Sequence, residues 1–327
     1  METKSFGNRS DDDLEDTFLC NNTTNDVAAV NTMYLFLTFL GLLSVFIMCG
    51  NLLVIISIIY FRQLRTPTNY LILSLAVADL LVGVLVLPLS IVSLIICGHL
   101  QNVICKLRGC FDIILCTCSI LNLCSISVDR YYAVCQPLKY RAKVNIHVIM
   151  IMILLSWTVS ALNGIIITIL GVNQENSNMK KCVLFKNASS AILGTFSSFF
   201  LPAFIMSMIY VKILTEAQKQ TRSIQNTTSQ LTKTERKMER KATKTLAIIM
   251  GVFIVCWSPF FLSVAFNSLS HYKIPVPLIE AFKWLGWSNS MLNPFVYGFF
   301  YRWFRTAFRM IISGKIFQAD LTNSKLH

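Results

Sequence analysis

The sequence predicts an all-α membrane protein, a seven-transmembrane helix bundle followed by a short amphipathic eighth helix. Two observations carry that prediction. Of 327 residues, 54% are hydrophobic and 14% are charged, against roughly 25% charged in ordinary soluble domains. Apolar windows recur at about 31–60, 70–97, 109–128, 146–170, 190–214, 245–270 and 276–300, each near or above the roughly 20 residues that cross a bilayer as a helix. Buried helices of a large soluble protein would be shorter and charged along one face. The expected organisation is an exterior segment over 1–30, a membrane domain over 31–300, and a cytoplasmic helix and tail over 301–327.

The first thirty residues hold an acidic run (Asp11, Asp12, Asp13, Glu15, Asp16) and few apolar side chains. Asn8, Asn21 and Asn22 each open an Asn-x-Ser/Thr triplet, as does Asn187 ahead of span five, so these four are candidate glycosylation sites. The first window is expected to persist as helix one, because it lacks the short cationic start of a cleaved signal peptide. Most of the 29 Lys and Arg lie after spans one, three, five and seven, including Arg62, Arg65, Lys139, Arg141, Lys143 and the loop over 215–243. The positive-inside tendency puts those segments in the cytosol and the amino terminus outside. The net charge of +13 therefore faces the lipid bilayer, and no nucleic-acid partner is expected.

Span three contains an anomaly, Asp112, in the run CFDIILC. An ionised carboxylate among apolar residues needs compensation. It follows Cys105 by seven residues, roughly 10 Å below the outer end of the span, and Arg130 lies five turns further on, roughly 27 Å, on the same face. Ser119 lies near the same stripe, which lipid cannot solvate and which should face the bundle interior. Either a cation of the bundle pairs with Asp112 or a cationic ligand does; no span offers a cation at that depth, and Lys106 and Arg108 lie about a turn above, which favours the ligand. In span six, CWSPFF sets Trp257, Phe260 and Phe261 around Pro259, which kinks the helix. Aromatic faces near a carboxylate suit an ammonium ion, although aromatics near a kink also serve packing.

Span two carries a second acid, Asp79, on which Ser119, Asn289 and Asn293 could converge. Oxygen-only coordination suits a hard cation such as sodium, and equally a hydrogen-bonded network without an ion. At the inner end of span three, Arg130 needs an anion: Asp129 is adjacent, and Glu239 is a candidate across the bundle. That arrangement reads either as a latch between helix ends or as a charge pair of small worth. No metal cluster is assembled, and the four histidines, His99, His147, His271 and His327, lie outside span centres, so an intramembrane enzyme is not supported. A transporter would show internal repeats and paired broken helices. Of the eleven cysteines, Cys105 and Cys182 are exterior, where an oxidising compartment permits a bridge; Cys20 and Cys97 leave a second one open.

At these residues the chain resembles the rhodopsin-like, or class A, G protein-coupled receptors. The likeness runs from Gly50 and Asn51 through LAVAD, DRY, Trp157, Pro202, CWSPFF and NPFVY to the eighth helix. Residues 289–304, NSMLNPFVYGFFYRWF, are similar to the signature of trace amine-associated receptors. The resemblance implies a plasma-membrane receptor that binds a protonated amine through Asp112. Ile113, Cys116, Thr195, Ser198, Phe260, Phe261 and Trp287 would complete the pocket, with Trp257 as the toggle beneath. It implies a sodium site at Asp79, Ser119, Asn289 and Asn293, with no other cofactor. It makes Asp129, Arg130 and Tyr131 with Glu239 the inner lock, and Asn293, Pro294 and Tyr297 with Tyr210 the activation relay. A Cys105–Cys182 disulfide and a heterotrimeric G protein partner, of stimulatory or olfactory type, follow from the same likeness.

Three departures bear on the ligand. Trp287 stands where aminergic relatives usually carry a tyrosine, and an indole donates only once. The loop CGHLQNVIC lacks the usual tryptophan. Span five offers Gly194, Thr195 and Ser198, so a second ammonium site is not obvious, although Glu280 could serve. A serotonin-like biogenic amine receptor, or a family member shifted to non-amine ligands, is the alternative.

Overall fold

A computed structural model describes residues 27–96, 99–172, 188–224, 230–270 and 274–317. Helix α1 spans Val27–Tyr60. Thr66 caps α2 by accepting the Asn69 backbone N–H at 3.3 Å, with Pro67 at the first helical position, where its missing N–H is harmless. Helix α2 runs over 67–95 through a wide π-helical turn at Val82–Val86. Then come α3 (His99–Cys135), a short helix Pro137–Lys143, and α4 (Ile146–Val172). Helix α5 covers 188–224 with a second wide turn at Phe196–Phe200. Helices α6 (Gln230–Leu269) and α7 (Val276–Phe300) each hold an internal proline, Pro259 and Pro294. After the extended residue Tyr301, α8 occupies Arg302–Ile312. No strand occurs among the described residues.

Six of these helices are long and apolar enough to cross a membrane. The seventh expected span, α7, has 25 residues, which is enough to cross. Its Glu280, Lys283, Asn289 and Asn293 are tolerated because it packs against α1, α2 and α6. The apolar residues on the outside, among them Leu35, Phe39, Ile151, Leu154 and Phe204, are lipid-facing, as in a multi-pass membrane protein. Helix α3 sits at the centre: 61% of its apolar window is buried, against 22% for α4 at the periphery. It starts at His99, ten residues before the window expected at 109–128, because the polar turns holding Arg108 continue the same helix.

Polar ties stitch the bundle. Asn51 donates to the Ile47 and Ser290 carbonyls, both at 3.0 Å, joining α1 to α7. Trp157 Nε1 donates to Ser74 Oγ at 3.0 Å, joining α4 to α2. A Cβ at Gly50 would lie 3.1 Å from Pro294, so the smallest residue lets the kinked part of α7 approach α1 closely. In α8, Phe304 and Ala307 are buried while Trp303 and Ile312 are exposed, the division expected of a helix lying along an interface.

Candidate functional site

Helix α3 brings Asp112 beside α7, where Trp287 Nε1 donates to its Oδ1 at 2.8 Å. Asp112 is half-buried, while Trp287 is 1% exposed. Among the described residues Asp112 makes no ion pair. The indole therefore fills one oxygen of the carboxylate and spends its single donor there.

One cation in this region escaped the sequence reading. Lys283, one turn before Trp287 on α7, ion-pairs with Glu280 at 2.5 Å. Its Nζ lies 6.0 Å from the Phe260 ring centroid. Lys283 lies one turn above Trp287, the residue bonded to Asp112, as Arg108 lies one turn above Asp112 on α3, and its ion-pair partner is Glu280 rather than Asp112. Glu280, considered for a second ammonium, is engaged by this lysine.

The aromatic residues of α6 form one cluster with α5. Trp257 meets Phe260 edge-on at 6.0 Å and Phe261 at 5.8 Å, and Phe261 stacks on Phe199 at 4.5 Å. Phe199 was not anticipated; it lies in the wide turn of α5, whose extra residue turns the ring inward. A Cβ on Gly286 would come within 2.6 Å of Trp257 Cε3, so α7 must carry glycine there for the indole to fit. Cys116 is buried one turn below Asp112, and Ile113 is half-buried beside it. Thr195 and Ser198 are buried, but Ser198 Oγ already accepts from Asn163 Nδ2 at 2.9 Å. Its hydroxyl thus belongs to a tie between α4 and α5.

The second acid sits deeper. Asp79 is fully buried and accepts from Asn293 Nδ2 at 2.7 Å, Ser290 Oγ at 2.8 Å and Ser119 Oγ at 3.4 Å. Two of the expected partners meet it. Asn289 does not bond it; the next residue, Ser290, does, because neighbours on a helix point about 100° apart. The side-chain oxygens of Asn289 and Asn293 are buried without a hydrogen-bond partner, and so is the Tyr297 hydroxyl. As it stands the cluster is a hydrogen-bonded network of two hydroxyls and one amide N–H on the carboxylate; the Asp79 carboxylate, the Ser119 and Ser290 hydroxyls and the amide oxygens of Asn289 and Asn293 are the oxygens a hard cation could take there. Among the described residues no cluster of three or more His, Cys, Asp or Glu stands ready for another metal.

At the other end of α3, Arg130 Nη2 and Nε reach Asp129 Oδ2 at 2.6 and 2.8 Å. Its guanidinium also donates to Thr68 Oγ1 at 2.5 Å, and that hydroxyl in turn donates to Asp129 Oδ2 at 2.8 Å. Tyr140 on the short helix donates to Asp129 Oδ1 at 3.1 Å. Burial pushes the Tyr140 phenol above its ordinary range. The described partners of Arg130 thus lie on α2, α3 and the short helix. Glu239, the expected partner on α6, has its side chain outside the described residues. Tyr131 packs edge-on against Tyr132, and Tyr210 and Tyr297 are buried, with Tyr297 stacked on Phe304 at 5.6 Å. Thr68 and Tyr140 were not foreseen, although Tyr140 follows the DRY run by only nine residues.

Cys105 is disulfide-bonded. Cys182, Asn8, Asn21, Asn22 and Asn187 fall outside the described residues.

A central helix with a half-buried acid near one end, a buried acid at mid-depth and a tethered arginine at the other end defines a seven-helix membrane receptor rather than an enzyme. Residues 50–297 match the family model described as 7 transmembrane receptor (rhodopsin family). The chain is 42% identical to trace amine-associated receptor 1 of Macaca mulatta, covering 94% of each chain. It is 42% identical to trace amine-associated receptor 4 of Mus musculus, over 86% of this chain and 85% of that one. It is 38% identical to trace amine-associated receptor 13c of Danio rerio, over 94% and 93%. The chain belongs to the trace amine-associated receptors within the rhodopsin-like G protein-coupled receptors.

Proposed function

We propose that this receptor captures a protonated amine at Asp112 and transmits the event to a heterotrimeric G protein at the Arg130 end. The carrying observation is a half-buried carboxylate over an aromatic cluster, with one oxygen bonded to Trp287 and no ion-pair partner among the described residues. An ammonium there would pair with the free oxygen while its apolar part packs on Phe260, Phe261 and Trp257. The pocket end then faces the exterior of the plasma membrane, with the amino terminus outside and sugars on Asn8, Asn21, Asn22 or Asn187. The cations of the opposite end support that orientation. Cys105 pairs with Cys182 in this reading, drawing the intervening loop over the bundle.

Activation requires that the ligand prefer one bundle arrangement. To carry an active fraction from about 1% to nearly all receptors, that preference must reach about 5.5 kcal/mol. Ion pairing and aromatic contact in a desolvated pocket supply energies of that order. The Arg130–Asp129–Thr68–Tyr140 cluster is what α3 must loosen as α6 moves outward, opening a cleft for a stimulatory G protein. A sodium ion at Asp79, held with Ser119, Ser290 and Asn293, would favour the closed arrangement.

The test is a cyclic-AMP reporter in cells expressing the full chain, screened with volatile and biogenic amines. Asp112→Ala and Asp112→Asn should abolish the responses, with about 100-fold or greater loss of potency for a charge-assisted contact. Unchanged responses in both variants at equal surface expression would remove Asp112 as the anchor.

A further inference from the structure

One turn above the Asp112–Trp287 pair stand two cations, Arg108 on α3 and Lys283 on α7. Lys283 is 12% exposed at the side chain and lies over the Phe260 ring; Glu280, its ion-pair partner, is 34% exposed. Arg108, one turn above Asp112 on α3, is half-buried, and its side chain bonds only Cys105 Sγ at 3.7 Å among the described residues. A simple ammonium descending to Asp112 therefore passes two positive groups, of which one has no carboxylate partner among the described residues and the other is held by a single, more exposed one. Like charges in a partly desolvated mouth penalise a purely cationic ligand and reward one that brings its own anion.

We infer that the ligand class is zwitterionic: an amine carrying a carboxylate or similar anion, whose ammonium sits on Asp112 and whose anion replaces Glu280 on Lys283, with Arg108 adding its charge. This rests on the amine reading of Asp112. The exposures decide against the opposite arrangement, a diamine whose second ammonium takes Glu280. An incoming anion displaces Glu280, which swings into water at small cost; an incoming ammonium must displace Lys283, which is the more buried partner and is packed on Phe260. Spacing sets the size of the ligand. Lys283 stands four residues above Trp287, the residue that bonds Asp112, a rise of on the order of 6 Å along α7, and that rise sets the scale of the ligand's length. A short linear chain or one aromatic ring spans that distance.

The probes are three matched series: ω-aminoalkanoates from 3-aminopropanoate to 8-aminooctanoate, the alkylamines of equal length, and the α,ω-diamines. Binding is read as ligand-induced thermal stabilisation of the full-length receptor in lipid nanodiscs. At its best length the zwitterion should bind about tenfold or more tightly than its alkylamine and its diamine, the scale of one charge-assisted contact. Lys283→Gln should reduce that preference to about twofold and raise alkylamine affinity, since a repelling charge is gone. Arg108→Gln should lower the preference partway. If no length favours the zwitterion, or if the preference survives in the doubly substituted Lys283→Gln, Arg108→Gln receptor, the inference is overturned. Alkylamine binding that Asp112→Asn abolishes, with no gain from the carboxylate, overturns the zwitterion alone; alkylamine binding that Asp112→Asn leaves intact overturns the amine anchor beneath it.

Discussion

Trp287→Phe isolates the contact on which the pocket turns. The substitution keeps a buried aromatic ring and removes the N–H that reaches Asp112 Oδ1 at 2.8 Å. A hydrogen bond from a neutral donor to a buried carboxylate contributes about 1.5–3 kcal/mol. The free receptor loses that amount, plus the cost of the space left by the smaller ring. The amine-bound receptor loses less, because the ammonium still satisfies the carboxylate. Amine affinity should therefore hold or rise, by up to about tenfold for each 1.4 kcal/mol that the ligand restores. The cavity cost is shared with an Asp112→Asn background, where the acceptor is neutral and the same N–H is worth only about 0.5–1.5 kcal/mol. The double-mutant cycle should show a coupling of about 1 kcal/mol or more. Thermal unfolding of nanodisc-embedded receptor, with and without an alkylamine, measures all four corners. Additive effects of the two substitutions, or an unchanged free receptor, would refute the claim that the indole holds the acid in place.

The other predictions concern the floor and the far end of the bundle. Gly286→Ala places a methyl within 2.6 Å of Trp257 and should cost about 1–3 kcal/mol of stability, read as a lowered unfolding temperature that Trp257→Ala in the same chain partly restores. Asp79→Asn should make agonist affinity insensitive to sodium between low and physiological concentrations; an identical salt response in both proteins would mean that the oxygens around Asp79 form a network without an ion. Tyr140→Phe removes the 3.1 Å bond to Asp129, worth about 0.5–1.5 kcal/mol, and should raise ligand-independent signalling in the reporter assay. Because burial raises the Tyr140 phenol, its neutral, donating form persists up to its unfolded value near pH 10 and is lost only above its folded one. The difference between wild type and Tyr140→Phe should therefore stay flat from about pH 6 to about pH 9.

Much of the architecture was readable from one dimension, because a bilayer imposes a length on each span and obliges every backbone group to bond within it. The same regular rise placed Asp112 near one end of α3 and Arg130 at the other, on one face, before any neighbour was known. What a linear pattern does not contain is which side chains from different helices meet. Asn289 and Ser290 are adjacent in sequence, yet only Ser290 bonds Asp79, a choice made by the rotation of α7 against α2. Ser198 looked available to a ligand until α4 brought Asn163 to it. Lys283 drew no notice in the sequence; the packing of α7 against α6 set it over Phe260, with Glu280 as its partner. Arg130 found Thr68 and Tyr140 in the same way. Depth follows from counting residues along a helix, whereas partnership depends on the angle and distance between helices, which only the assembled bundle sets.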